Sequence, residues 1–172
     1  MIIHQAQEAH CAAIAAIYNH AVLHTDAIWN EQTVDTANRV AWMQQRTASG
    51  YPVLVAIIDE QVAGYASFGD WRAFEGFRHT VEHSVYVHPD FQGRGVGRAL
   101  MEQLITAARA CGKHVMVAGI ESANSASIAL HQRLGFVITA SMPQVGTKFG
   151  RWLDLTFMQL QLDNRAIPDS LP

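Results

Sequence analysis

The sequence is poor in cysteine and proline and carries little charge of either sign. Two cysteines, Cys11 and Cys111, among 172 residues exclude a disulfide framework. Both fall in segments with helical periodicity and no basic neighbour, so both read as reduced core thiols rather than reactive ones. A net charge of -3 leaves no basic face for nucleic acid. No apolar run approaches the roughly 20 residues that cross a membrane, and the start Met1-Ile2-Ile3-His4-Gln5 lacks the basic and long apolar stretches of a secretory leader. These absences describe a cytoplasmic protein. Repeats, low-complexity segments and Gly/Ser- or Pro-rich linkers are also missing, so residues 1–162 read as one domain. Residues 163–172, with two prolines and few apolar side chains, read as a loose tail.

Histidine is the exception, with nine. His20 and His24 are four apart, as are His79 and His83, but only the first pair would share a helix face. Neither has the glutamate and third ligand of a zinc protease motif, so no metal is expected.

Apolar residues make up 49% of the chain, enough for a real core. Their spacing predicts a strand over residues 1–4 and helices over 12–22 and 33–48, the second with Val40 and Met43 inward. The continuous run 53–58 reads as a buried strand, and 62–68 returns as its hairpin partner after the turn at Asp59, Glu60 and Gln61. A strand over 81–88 then leads through a glycine-rich loop to a helix over 98–111 with Leu100, Leu104 and Ala108 in one stack. A strand over 114–120 completes a unit that implies a parallel pair with a right-handed crossover. A helix over 124–134 and strands over 136–140 and 152–162 finish the chain. The fold class is mixed α/β, with a sheet part parallel and part antiparallel flanked by helices.

The loop Gln92-Gly93-Arg94-Gly95-Val96-Gly97 lies between a strand and a helix start. The first helical turn has unpaired N–H groups and a partial positive charge, so an anion, most often phosphate, is favoured there. Glycines let the backbone approach a bulky pyrophosphate, and Arg94 and Arg98 add charge-assisted donors. The spacing is neither Gly-x-Gly-x-x-Gly nor a P-loop, and no acidic residue closes a following strand as a dinucleotide fold requires. A plain tight turn is the alternative, but five of the eight residues 92–99 are glycine or arginine.

At these residues the chain resembles the GCN5-related N-acetyltransferases, whose signature is Gln/Arg-x-x-Gly-x-Gly/Ala. The preceding Val85-Tyr86-Val87-His88-Pro89 and the later Asn124 and Leu134-Gly135-Phe136 match in order and separation. The run Thr80-Val81-Glu82-His83-Ser84-Val85-Tyr86-Val87 resembles the phosphinothricin acetyltransferase branch. Gly69-Asp70-Trp71-Arg72 and Gly146-Thr147-Lys148-Phe149-Gly150-Arg151-Trp152 are similar to the bacterial methionine sulfoximine/methionine sulfone acetyltransferases. The resemblance implies that acetyl-CoA is the co-substrate. Its pyrophosphate would rest on the amides of Gln92, Gly93, Arg94, Gly95, Val96, Gly97 and Arg98, and its pantetheine arm on the backbone of Val85, Tyr86 and Val87. A bulge would splay that strand from its neighbour and free an amide for the thioester carbonyl.

The resemblance also implies a general base in Glu82, acting through water, and an acid for the departing thiolate in His131. The residues alone leave open a structural carboxylate and a packed, neutral imidazole. Asn124, Ser127 and His131 share one stripe of the last helix. Asn124 is an N-cap by type but would also reach the pantetheine arm, and Arg133 would meet the coenzyme phosphates or solvent. For a zwitterionic substrate, Arg72 offers a bidentate carboxylate contact. Trp29, Phe74 and Phe77, with Glu75 and Gly76 between the last two, offer a wall. The implied function is acetyl transfer to the α-amine of a small L-amino acid analogue, methionine sulfoximine or sulfone, with phosphinothricin as alternative. A homodimer is implied, with the hairpin around residues 147–152 reaching the partner's site. A non-catalytic acyl-CoA sensor and a protein or peptide N-terminal acetyltransferase are the readings from other classes.

Overall fold

The computed structural model describes residues 1–168, and residues 169–172 lie outside the described part. Seven strands form one sheet in the order β1-β2-β3-β4-β5-β7-β6. They are β1 (Ile2–Gln5), β2 (Val53–Ile58), β3 (Gln61–Asp70), β4 (Thr80–Val87), β5 (Val115–Glu121), β6 (Val137–Lys148) and β7 (Arg151–Gln161). Among the described residues β4 and β5 make the parallel pair, and every other neighbour is antiparallel. The helices are α1 (Cys11–His24), α2 (Thr36–Ala48), α3 (Val96–Ala110) and α4 (Ser125–Arg133). No helix among the described residues is long and apolar enough to cross a membrane.

The chemistry of the chain ends sets each element. The β2–β3 turn takes left-handed backbone at Asp59 and Glu60, φ 49° and 63°, as a tight two-residue hairpin requires. α2 begins at residue 36 rather than 33, because Asp35 is extended and its carboxylate accepts from the Asn38 amide at 2.8 Å. α3 begins at Val96, two residues earlier than the periodicity indicates, since Gly95 at φ 79° turns the chain straight into the helix. Its Leu100, Leu104 and Ala108 are fully buried against Phe68, Val81, Met116 and Met158. The helix seats closely because Gly64 on β3 has no side chain; a Cβ there would come within 3.1 Å of Val96 and 3.2 Å of Leu100. The opposite face of the sheet packs Ile14 and Ile17 of α1 against Val53, Val55 and Tyr65, with Trp42 and Met43 of α2 at the edge.

Three expectations need correction. Cys11 is buried, but Cys111 is exposed at the end of α3 and is not a core thiol. β6 runs for twelve residues rather than five, through Pro143 and two register shifts against β7 that interrupt the alternation a strand normally displays. The segment after 162 is not loose at its start. His114 Nδ1 lies 2.6 Å from Asp163 Oδ1, and Arg165 donates to the Gly112 carbonyl at 2.7 Å.

Candidate active site

β4 pairs with β5 only at Thr80, Val81 and Glu82, although β4 continues to Val87 and β5 to Glu121. The strands part after Glu82, and a cleft of about 630 Å³ opens beside the freed stretch. It is lined by Val85, Tyr86 and Val87 of β4, by Gln92, Gly93, Gly95, Val96, Gly97 and Arg98 around the α3 start, and by Asn124, Ser127 and Arg133 of α4. Thus twelve of the thirteen residues expected at the cofactor come together. The splay has the expected place, but β4 holds an unbroken register with β3 from Val81 to Val87, so no bulge against that neighbour produces it.

Two helix N-termini open onto this cleft. α3 presents the left-handed Gly95 as its N-cap, and α4 presents Asn124, whose Oδ1 accepts from the Ser127 amide at 3.1 Å. Converging N–H groups and helix dipoles suit a multiply charged phosphate ligand. Asn124 therefore caps the helix while lining the cleft. Arg98 lines it while paired with Glu102 at 2.8 Å. Arg94 does not line it; its guanidinium stacks 5.2 Å from the Phe91 ring centroid.

Glu82 is the last residue of β4 paired with β5, so its carboxylate stands at the fork. Alternation sends it to the sheet face opposite α3. Glycines flank it on both sides. Gly69 is its direct partner on β3, and a Cβ built on Gly119 of β5 would lie 3.2 Å from Glu82 Oε1. Burial raises the Glu82 pKa above the usual carboxylate range, against the opposing pull of Arg72 and then Arg46. A half-buried carboxylate of raised pKa, placed where the two strands part, is suited to accepting a proton near neutral pH.

His131 is 1% exposed and does not line the cleft. Its Nδ1–H donates to the Ser127 carbonyl at 2.7 Å, and its Nε2 lies 2.9 Å from His83 Nε2, the rings stacked at 11°. With Nδ1 of His131 as donor, its Nε2 accepts from His83, and His83 Nδ1 is left buried without a partner among the described residues. Burial lowers both pKa values, that of His83 to about 3. Both rings are neutral at physiological pH, and neither nitrogen of His131 is free to protonate a leaving group.

The expected substrate residues divide. Phe77 lines a hollow of about 340 Å³ with Trp71, Thr80, Val117 and Phe157, and Trp71 meets Phe157 edge-on at 5.3 Å. Arg72 is exposed, its guanidinium 5.1 Å from the Trp71 ring. Phe74, Glu75 and Gly76 lie exposed around a short 3-10 turn. Trp29 is a packing residue here. Its Nε1–H donates to the Asp26 carbonyl at 2.9 Å, and its ring covers Gly146, where any Cβ would collide with it.

That contact belongs to a clasp the sequence does not announce. Lys148 is fully buried, and its ammonium donates to the carbonyls of Thr25 at 2.6 Å and Ile28 at 2.5 Å, beyond the end of α1. Arg151 pairs with Asp26 at 2.7 Å. The β6–β7 hairpin is thereby fixed to the α1–α2 loop. Arg46 is the second residue missed. Its guanidinium fills the place of a Gly69 side chain, and only the pairing of Gly69 with Glu82 could have signalled it. Among the described residues no group of three His, Cys, Asp or Glu side chains could hold a metal ion.

Comparison with known proteins agrees with this geometry. The acetyltransferase (GNAT) family matches residues 9–136. The chain is 71% identical to the L-amino acid N-acyltransferase MnaT of Escherichia coli (strain K12), over 99% of each protein. It is 69% identical to an L-methionine sulfoximine/L-methionine sulfone acetyltransferase of Salmonella typhimurium, again over 99% of each. An acetyltransferase structure from Salmonella typhimurium with its cofactor acetyl-CoA superposes with a TM-score of 0.97 at 68% identity, covering 99% of both chains. The chain belongs to the acetyltransferase (GNAT) family, the acetyl-CoA-dependent N-acetyltransferases.

Proposed function

We propose that the protein transfers the acetyl group of acetyl-CoA to the α-amine of a small L-amino acid analogue, with methionine sulfone and methionine sulfoximine as preferred acceptors. The observation that carries this reading is the position of Glu82 at the fork of β4 and β5. The carboxylate stands where β4 and β5 part, on a sheet face that bears Arg72, Arg46, Trp71 and Phe157. Cations and aromatic walls beside a base suit a zwitterion with an unbranched side chain. Two close relatives named for amino acid substrates support the same choice.

The bound thioester supplies the activated acetyl group. Glu82 accepts the proton of the amine, through water, as the amine attacks. An α-amine with a reference pKa of about 8 gives up its proton at pH 7 for about 1.4 kcal/mol, whereas a lysine amine requires about 4.6 kcal/mol. One carboxylate meets the first demand more easily. A dedicated acid for the thiolate is dispensable, because a thiol of pKa about 8.5 is stable as thiolate at pH 7 at a cost of about 2 kcal/mol. The proposed chemistry therefore needs no proton from His131.

A homodimer belongs to this reading. β6 is an edge strand with Val137, Ile138, Met142 and Val145 exposed, and Trp152 beside it is 70% exposed. Such an apolar edge favours pairing with a second copy. A reaction that consumes acetyl-CoA fits a cytoplasmic setting. Release of free thiol from acetyl-CoA, measured across methionine sulfone, methionine sulfoximine, phosphinothricin, a lysine derivative and an N-terminal peptide, tests the proposal. Turnover greatest with the sulfone or sulfoximine supports it. Preference for the peptide rejects it, and no amine-stimulated release favours an acyl-CoA sensor.

A further inference from the structure

We infer that Arg46 receives the α-carboxylate of the amino acid acceptor, an inference that rests on the proposed function and names the charge recognition within the same site. Gly69 and Glu82 are direct cross-strand partners, so their Cβ directions share one face and would stand about 5 Å apart. Gly69 has no Cβ, and the Arg46 guanidinium lies in the vacated volume, with Cζ 2.6 Å from the ideal Cβ position. The last turn of α2 thus delivers a cation beside the root of the Glu82 side chain, on the face to which that side chain points. In an α-amino acid the carboxylate and the amine hang from one carbon. A guanidinium seated over the strand partner of the base, on the same face of the sheet, is placed to hold that carboxylate while the base takes the amine proton.

The guanidinium is also available. Among the described residues it makes no hydrogen bond and no ion pair, its charged neighbours Asp70 and Glu82 acting only at longer range. Its ring contact is Trp42, 5.9 Å from Cζ, and it borders a small cleft with Gln45, Ser49, Tyr51 and Asp70. Asp70 is already engaged by the Tyr51 hydroxyl. A half-buried guanidinium with five unfilled donors favours a planar anion that accepts two of them at once. Arg72, the other cation near Glu82, is exposed and stacked on Trp71. It stands at the rim.

The test compares Arg46→Gln and Arg46→Lys with the wild type on methionine sulfone and on its carboxamide. The carboxamide keeps an α-amine but carries no negative charge. With Arg46→Gln, kcat/KM for methionine sulfone is expected to fall about ten- to hundredfold, the range for a hydrogen-bonded charged group, with the loss in KM. The carboxamide should change less than twofold, and the Kd for acetyl-CoA should hold. Equal losses on both acceptors would make Arg46 a structural neighbour of Glu82 and overturn the inference, as would an unchanged KM for methionine sulfone. Should Arg46→Gln fail to fold, Arg46→Lys decides. It loses the bidentate fork, so a several-fold rise in KM for the sulfone alone supports the inference and no rise overturns it. A wild type that acetylates neither acceptor refutes the proposed function itself. A wild type active on the sulfone, with an indifferent variant, refutes only the role of Arg46.

Discussion

The buried pair of His83 and His131 makes acid stability a sharp test of the structure. Burial holds the His83 pKa at about 3 in the fold, against 6.5 for an ordinary imidazole, and lowers that of His131 as well. Below pH 6.5 the unfolded chain therefore binds protons that the fold refuses. Stability falls as the pH drops, by about 1.4 kcal/mol per unit for His83, and the effect vanishes above pH 6.5. At pH 5 His83 alone costs about 2 kcal/mol, and His131 adds in the same direction. Replacing both rings by leucine removes the two titrations together with the orphaned Nδ1 of His83. Phe136, edge-on to both rings, would pack against the leucines. Urea unfolding at pH 7.5, 6.0 and 5.0 measures the effect. The His83→Leu/His131→Leu protein should match the wild type within about 1 kcal/mol at pH 7.5. It should lose at least about 2 kcal/mol less on going to pH 5. Parallel pH dependences would refute the neutral buried pair.

Two substitutions examine the cleft and the fork separately. Gly95→Val forces a β-branched residue into φ 79° at the start of α3, so the Kd for acetyl-CoA should rise at least tenfold. An unchanged Kd by titration calorimetry would detach the loop from the coenzyme. Gly119→Ala places a methyl 3.2 Å from Glu82 Oε1 and 3.5 Å from Phe157, which must shift the carboxylate by a few tenths of an ångström. A drop of about tenfold in kcat, with the acetyl-CoA Kd retained, is expected. Full activity would mean that the carboxylate position does not matter.

Much of the coenzyme side was legible because it is local. The strand, the glycine loop and the helix start are contiguous, and the turn chemistry of Gly95 is written at one position. Asn124 was legible for the same reason, as a cap three residues before the amide it accepts from. The acceptor side is long-range, and there the sequence says less. Arg46 looks like any arginine near a helix end until Gly69 is known to lie under it and opposite Glu82. Lys148 looks like a surface lysine in a hairpin, yet it is fully buried because the loop after α1, about 120 residues earlier, turns the Thr25 and Ile28 carbonyls toward its ammonium. His131 falls on the same helical stripe as Asn124 and Ser127, as the spacing indicates. The register of β4 then puts His83 against it and closes it off from the cleft.

The central claim is that Glu82 takes the proton of an amino acid amine at the fork. The direct measurement is the pH dependence of kcat/KM for methionine sulfone in the wild type and in Glu82→Gln. Because burial raises the Glu82 pKa, wild-type activity should fall on acidification through a value above the usual carboxylate range. Glu82→Gln should lose at least about a hundredfold in kcat, lack that acidic limb, and bind acetyl-CoA as before. A variant with the wild-type rate and the same acidic limb would contradict the account.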